Sequence, residues 1–92
     1  MSTTMKHHTH PDIAKRLKRA NGHLGKVIQM IEAGAPCVDL AQQLFAVESA
    51  ITNAKRELIH DHMEHCLGDG VGEGEMEPVA AMAEFKALAK YL

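Results

Sequence analysis

The sequence predicts an all-α fold in which a three-helix protomer contains one unusually long central helix. Two long segments place apolar residues at alternating intervals of three and four, which is the spacing of one helix face. The hydrophobic fraction is 46% but aromatic residues make up only 3%, so Ala, Leu, Ile and Met fill most of the core. Such a core is thin for a monomer of 92 residues, and we expect copies of the chain to bury surface against each other.

The first helix is predicted to begin at "THPD" and to end near Glu32. Pro11 fits the first turn of a helix, and Asp12 complements the positive end of its dipole. The apolar positions on one side of this helix are Ile13, Leu17, Ala20, Leu24, Val27 and Ile31. Residues 1–10 show no periodicity, so we predict a flexible histidine-rich arm followed by a single helical domain over 11–92.

The second helix is predicted to start at or near Pro36, after the break at "AGAP", and to run to about Leu67. At about 30 residues it would measure about 45 Å, which is long for so small a monomer. Its apolar positions are Leu40, Leu44, Val47, Ile51, Ala54 and Leu58. An acidic linker over 68–75 and a short third helix within 78–92 follow. The apolar side of the third helix is expected to hold Val79, Met82, Phe85, Ala89 and Leu92.

Charge divides the chain into a basic N-terminal third and an acidic remainder. Residues 1–30 contain six Lys or Arg side chains and one Asp, a net charge of +5, whereas residues 31–92 carry −7. A basic helix on an otherwise acidic protein indicates an anionic partner, although an ordinary solvated helix face has the same composition. The clustered basic residues of the first helix are Lys15, Arg16, Lys18 and Arg19.

Cys37, His62 and Cys66 project from one stripe of the second helix. His62 and Cys66 are spaced i, i+4, so both side chains can bind one ion. Cys37 precedes them by 25 and 29 residues, which at 100° per residue places it within about 20° of both. On a straight helix, however, Cys37 and His62 are about 37 Å apart, so one chain cannot bring them together.

An antiparallel pair of second helices brings these ligands together. Cys37 of one chain then meets His62 and Cys66 of the other, and the helices cross near Ala50 and Ile51. Two-fold symmetry creates two such sites, one at each end of the pair. The apolar seam of this pair would be formed by Ala41, Leu44 and Ile51. The ligand spacing and the length of the helix then have the same explanation.

Each of these residues also has an ordinary interpretation. Cys37 could be a small buried hydrophobic residue, His62 an exposed polar residue near a helix end, and Cys66 an inert thiol. His60 is expected to be exposed to solvent, and His23 to be a surface residue of the first helix.

The arm adds three histidines that could either bind metal or be incidental. Two thiolates and one imidazole leave room for a fourth ligand, and an arm histidine would supply it. We name His10 as this ligand, with His7 and His8 as alternatives.

Residues 9–67 resemble the CsoR/RcnR/FrmR family of small helical bacterial repressors. The segments "RLKRANGHLGKVIQMIEAGAPCVDLAQQLFAVESAI" and "LIHDHMEHC" carry the resemblance. It implies a dimer of antiparallel three-helix protomers, usually assembled as a homotetramer, that binds operator DNA in the absence of its inducer. The family's ligand pattern falls on Cys37, His62 and Cys66. The residues that would bind DNA phosphates and fix the register are Lys15, Arg16, Lys18 and Arg19.

The opening "HTHPDI…LKRA" looks most like the nickel/cobalt-responsive branch, and Pro36 stands where copper sensors often have Tyr. The main expectation is therefore a repressor of metal efflux genes that Ni(II) or Co(II) releases from DNA. Two thiolates with one imidazole also suit Cu(I), and Zn(II) accepts such ligands as well, so a Cu(I) sensor of the same family is an alternative. Two further alternatives are a persulfide or redox sensor that uses Cys37 and Cys66, and a metal buffer that does not bind DNA.

Several classes of function are not expected. No set of nucleophile, base and orienting group is present, so we expect neither an enzyme nor a small organic substrate. No apolar run reaches the roughly 18 residues of a membrane span, and there is no signal-peptide pattern. The expected location is the cytoplasm, without a membrane partner.

Overall fold

The computed structural model describes residues 10–64 and 77–92, and in these ranges it contains three α-helices and no strand. α1 spans His10–Glu32, α2 spans Cys37–Glu64 and α3 spans Pro78–Ala89. The all-α, three-helix prediction is confirmed. The predicted end of the second helix near Leu67 and the predicted linker over 68–75 lie outside the described residues. Within those residues no helix is long and apolar enough to cross a membrane.

Gly34 ends α1. Its φ of +79° is in the left-handed region, which favours a residue without a Cβ. The amide of Ala35 donates to the carbonyl of Met30 at 3.0 Å, and that of Gly34 donates to Ile31 at 3.0 Å. These two bonds form the Schellman arrangement that satisfies the last carbonyls of a helix. The carbonyl of Pro36 then accepts from Leu40 at 3.0 Å, so α2 starts where the sequence predicts.

Each of the two long helices buries some of its apolar residues and leaves others exposed. The buried positions are Ile13, Ala20 and Val27 on α1 and Val47, Ala54 and Ile59 on α2. The predicted positions between them remain between 36% and 52% exposed: Leu17, Leu24 and Ile31 on α1, and Leu44, Ile51 and Leu58 on α2. Half of the predicted apolar stripe is therefore surface in a single chain, and the burial of this surface between copies stays a prediction.

α3 does not bury the side that the spacing predicts. Val79, Met82 and Leu92 are exposed, and the residue that α3 buries is Ala81. The helix also ends at Ala89 and not at the last residue. The prediction of this face is wrong because α3 is apolar nearly all round, so periodicity does not define one side.

The chain divides into two compact units. One is Pro11–Ala54, which holds most of α1 and the first part of α2. Among the described residues, the other contains His10, the last turns of α2 from Lys55 onward, and residues 77–92 with α3. Each unit contains a histidine that contacts a side chain of another helix: His23 in the first unit and His62 in the second.

Candidate metal centre and nucleic-acid interface

Cys37 is the first residue of α2, and its thiol is free and exposed. It follows directly on the turn that Gly34 and Pro36 set, so the fold fixes its position at a helix start. The interpretation of Cys37 as a buried hydrophobic residue is wrong. An exposed thiol at this position is accessible to a second chain.

His62 lies near the end of α2 and contacts Glu84 of α3. Its Nε2 is 3.0 Å from a carboxylate oxygen of Glu84, and only 27% of its side chain is exposed. The interpretation of His62 as an exposed polar residue is therefore wrong. A histidine that donates one ring N–H to a carboxylate has a fixed ring orientation, which is the usual setting of a metal ligand.

Glu84 was not assigned a role from the sequence. The contact joins residues 22 positions apart on different helices, so no helical spacing predicts it. One signal was available: Glu84 is the only charged residue in the first eight of α3, whose sequence is PVAAMAEFKALA. A lone carboxylate among apolar residues indicates a specific partner.

His10 is the first residue of α1 and lines a cavity of about 220 Å³ together with His62 and Glu84. Leu58, Ile59 and Leu88 supply its apolar wall. Among residues 10–64 and 77–92, no group of three or more His, Cys, Asp or Glu side chains is arranged to hold a metal ion. The other predicted ligands, Cys66, His7 and His8, lie outside the described residues.

The predicted dimer seam lies at the surface of α2. Ala41, Leu44 and Ile51 are all exposed, and Leu58 continues the same row. A row of exposed aliphatic side chains at seven-residue intervals is what an antiparallel helix pair needs. The pairing itself stays a prediction.

The four basic residues predicted to bind DNA are all exposed on α1. Arg16 and Arg19 are three positions apart and share a helix face, and the structure shows that both also line a cleft of about 390 Å³. Lys15 and Lys18 form a second pair of the same spacing on the neighbouring face. The basic helix therefore presents two pairs of cations.

His23 lines the same cleft and was expected to be only a surface residue. It is half-buried, and its Nε2 lies 2.6 Å from the side-chain oxygen of Gln43 on α2. The remaining wall is formed by Ala20, Ala50 and Asn53. His60, by contrast, is exposed as predicted, with Glu64 of the same helix 3.8 Å away.

Comparison with known proteins defines the class of this chain. The family described as metal-sensitive transcriptional repressor matches residues 9–91. The chain therefore belongs to this family, and the predicted resemblance is confirmed. The family consists of transcriptional repressors and not of enzymes, which confirms that expectation.

Three relatives illustrate which members it is similar to. The copper-sensing transcriptional repressor CsoR of Mycobacterium ulcerans is 39% identical over 74 residues, which cover 76% of this chain and 63% of the relative. CsoR of Bacillus subtilis is 35% identical over 80 residues, 85% of this chain and 79% of the relative. The copper-sensing repressor RicR of Mycobacterium tuberculosis is 35% identical over 74 residues, 80% and 77% of the two chains.

The chain spans about three fifths of the length of the mycobacterial CsoR proteins that it matches. No solved structure matches it. The names of these relatives give copper as the sensed metal, whereas nickel and cobalt appear in none of the three.

Proposed function

We propose that this protein is a Cu(I)-responsive repressor, which binds operator DNA when metal-free and releases it when Cu(I) binds between two chains. The observation that carries the proposal is the similarity to copper-sensing repressors over three quarters or more of the chain. It replaces the nickel/cobalt preference, which rested on the histidines of the arm. Genes for metal efflux are the proposed targets.

The ion would be held by Cys37 of one chain together with His62 and Cys66 of the other. Thiolates and imidazole are soft and borderline ligands that suit Cu(I). Two observations support this set: the thiol of Cys37 is exposed, and His62 has the carboxylate contact typical of a ligand. When bound, the ion supplies coordination bonds that join the two chains.

Glu84 would hold the ring of His62 in position. If Nε2 of His62 donates to Glu84, coordination through Nδ1 keeps this contact and coordination through Nε2 breaks it. We propose the first, because it preserves a bond that links α2 to α3. Ion binding to His62 of α2 would then also hold α3 in position through Glu84.

The exposed row Leu44, Ile51 and Leu58 would bury itself in the antiparallel pair of α2 helices. Aliphatic burial of this kind stabilises by about 25 cal/mol per Å². Two-fold symmetry would give each dimer two ion sites. We propose further that two dimers form a tetramer, as the family resemblance implies.

The basic residues of α1 would bind the phosphates of operator DNA: Lys15, Arg16, Lys18 and Arg19. Release by metal requires that the ion bind the DNA-free arrangement of the chains more tightly than the DNA-bound one. Because Cys37 and His62 would hold the ion from different chains, they would then fix how the basic helices of the assembly are placed relative to the DNA.

A nickel or cobalt sensor is the second candidate. The observation in its favour is that His10 lines the same cavity as His62 and Glu84, so a histidine at the end of the arm is near the proposed ligand. Ni(II) and Co(II) take more nitrogen ligands than Cu(I) does, which would give this histidine a role.

The proposal is tested with a DNA duplex that the metal-free protein selects from a random library. Cu(I) added without oxygen should release the duplex from the wild type. Cys37→Ser and His62→Ala should still bind DNA but lose release, with metal affinity reduced by more than about 100-fold, since even outer-shell changes cost 10–100-fold. His60→Ala, on the same helix, serves as the control and should behave as the wild type.

Three results would contradict the copper assignment. Release by Ni(II) or Co(II) but not by Cu(I) would favour the second candidate. Release of the His62→Ala protein by a persulfide donor, with no response of the wild type to Cu(I), would identify a thiol sensor. Failure of the metal-free wild type to select any duplex would exclude a repressor.

A further inference from the structure

A polar cleft lies between α1 and α2 within the unit Pro11–Ala54. α1 lines it with Arg16, Arg19 and His23, and α2 lines it with Asn53 beside the small side chain of Ala50. No carboxylate is among the lining residues in the part of the chain that the structure describes. Two guanidinium groups, an amide and an imidazole around about 390 Å³ match the hydrogen-bonding needs of a phosphate group.

The hydrogen-bond partner of the His23 ring indicates which of its two nitrogens acts as the donor. Nε2 lies 2.6 Å from Oε1 of Gln43, and an amide oxygen only accepts hydrogen bonds. Nε2 therefore carries a proton and donates it to Gln43. In the neutral ring Nδ1 has no proton, so His23 can donate to an anion in the cleft only as the imidazolium.

We propose that this cleft binds one phosphate group of operator DNA and that His23 becomes protonated as it does so. The proposal rests on the DNA binding proposed above and links that binding to the uptake of one proton. Arg16 and Arg19 would supply the charge, Asn53 an amide donor from the second helix, and Nδ1 of protonated His23 a further donor. The negative phosphate stabilises the imidazolium, so binding takes up a proton.

The cleft favours DNA over a free anion because of what surrounds it. Lys15 and Lys18 are exposed on the neighbouring face of α1, so the positive surface extends beyond the cleft. An extended row of cations suits a polyanion with phosphates at regular intervals. The charged groups among the lining residues are Arg16 and Arg19 from α1, while α2 presents the neutral Asn53, and Gln43 bonds the ring.

The first test measures the affinity of the metal-free protein for the selected duplex from pH 8 to pH 6 at constant ionic strength. His23→Gln retains an amide donor that does not titrate, and His60→Gln makes the same change at an exposed position. The wild type and His60→Gln should gain about tenfold more affinity across this range than His23→Gln does, as one linked proton predicts. If the affinity of His23→Gln depended on pH in the same way as that of the wild type, the proposal would be overturned.

The second test does not depend on the histidine. Asn53→Asp places a negative charge in the cleft, whereas Asn21→Asp makes the identical change at an exposed position of α1 outside it. Asn53→Asp should weaken DNA binding about tenfold more than Asn21→Asp, since the carboxylate repels the phosphate. Equal losses in the two variants would show a general effect of net charge and would exclude a phosphate site.

A titration with inorganic phosphate separates the two sources of the ligand. NMR signals of the His23 ring and the Asn53 amide should shift when the duplex is added, and only weakly with inorganic phosphate. Saturation by inorganic phosphate, with no shift on adding duplex, would overturn the assignment to DNA. These three tests need no copper. If they gave the expected results but Cu(I) did not release the protein from DNA, the copper-sensing function would be contradicted while the phosphate site would stand.

Discussion

Two half-buried histidines of this chain are held by side chains of neighbouring helices, but their partners differ in charge. His23 in the unit Pro11–Ala54 contacts the neutral amide of Gln43, whereas His62 in the other unit contacts the carboxylate of Glu84. A carboxylate makes an imidazole a better ligand for a cation. A neutral partner leaves the charge of the ring to be decided by what binds beside it. The hydrogen-bond partner of each histidine thus favours a different ligand: a cation at His62 and an anion at His23.

The two regions also differ in how much of each proposed site one chain supplies. Arg16, Arg19, His23 and Asn53 line one cleft within a single unit. The proposed ion site, in contrast, takes Cys37 from one chain and His62 from another. Under the proposed function, phosphate binding is local and ion binding depends on assembly. A change that separates the chains should therefore affect the ion site more than the cleft.

Ile51→Glu should have the largest effect, because it places a charge in the proposed seam twice in each dimer. Burying an unpaired carboxylate costs at least about 3 kcal/mol, which raises the dimer dissociation constant by more than about 100-fold. Sedimentation should then show monomers that do not bind Cu(I) between chains. Phe45→Glu is the control, since Phe45 is an exposed apolar residue on another face of α2. Equal dimer loss in both variants would contradict the predicted seam.

Glu84→Gln should have the next largest effect and should be confined to the ion site. The amide keeps the shape of the side chain but removes the charge against His62, so Cu(I) affinity should fall about tenfold. Competition with a chromophoric chelator measures it. Glu77→Gln, at the exposed residue before α3, should leave the affinity unchanged. No loss in Glu84→Gln would show that the contact is only structural.

The helices were predictable because their signals are local. Gly34 and Pro36 mark the turn between α1 and α2, and apolar spacing identifies both long helices. The contacts of His23 and His62 were not predictable, because each joins residues at least 20 positions apart on different helices. The exposed row of α2 is an intermediate case: its spacing predicts an apolar face but not which half of that face one chain buries.

Replacing Arg16 and Arg19 by Ala tests the other side of the comparison. Each lost phosphate contact reduces the magnitude of the slope of log affinity against log salt by about 0.9. The slope of the double variant should therefore be smaller in magnitude than that of the wild type by up to about 1.8. Cu(I) affinity should be unchanged, because neither residue is near the proposed ligands in the sequence or lines the cavity of His62. Lys86→Ala with Lys90→Ala removes the same charge from the region of α3 and should leave the slope as in the wild type. A slope unaltered by the arginine changes would remove this face of α1 from the DNA interface.

The smallest expected effect concerns the arm and separates the two candidate metals. Deleting residues 1–8 and replacing His10 by Ala should weaken Ni(II) and Co(II) binding by only a few-fold, because water can replace a lost imidazole. Cu(I) affinity should not change, since the proposed ligands Cys37, His62 and Cys66 would already be a sufficient set for this ion. His10 lines the cavity of His62, and under the proposal it would add a ligand only for ions that take more than three. Absorption spectra check this: the ligand-field bands of Ni(II) should shift while the thiolate charge-transfer band remains. A fall in Cu(I) affinity of the truncated protein, as large as that in Ni(II) affinity, would show that His10 belongs to the copper site itself.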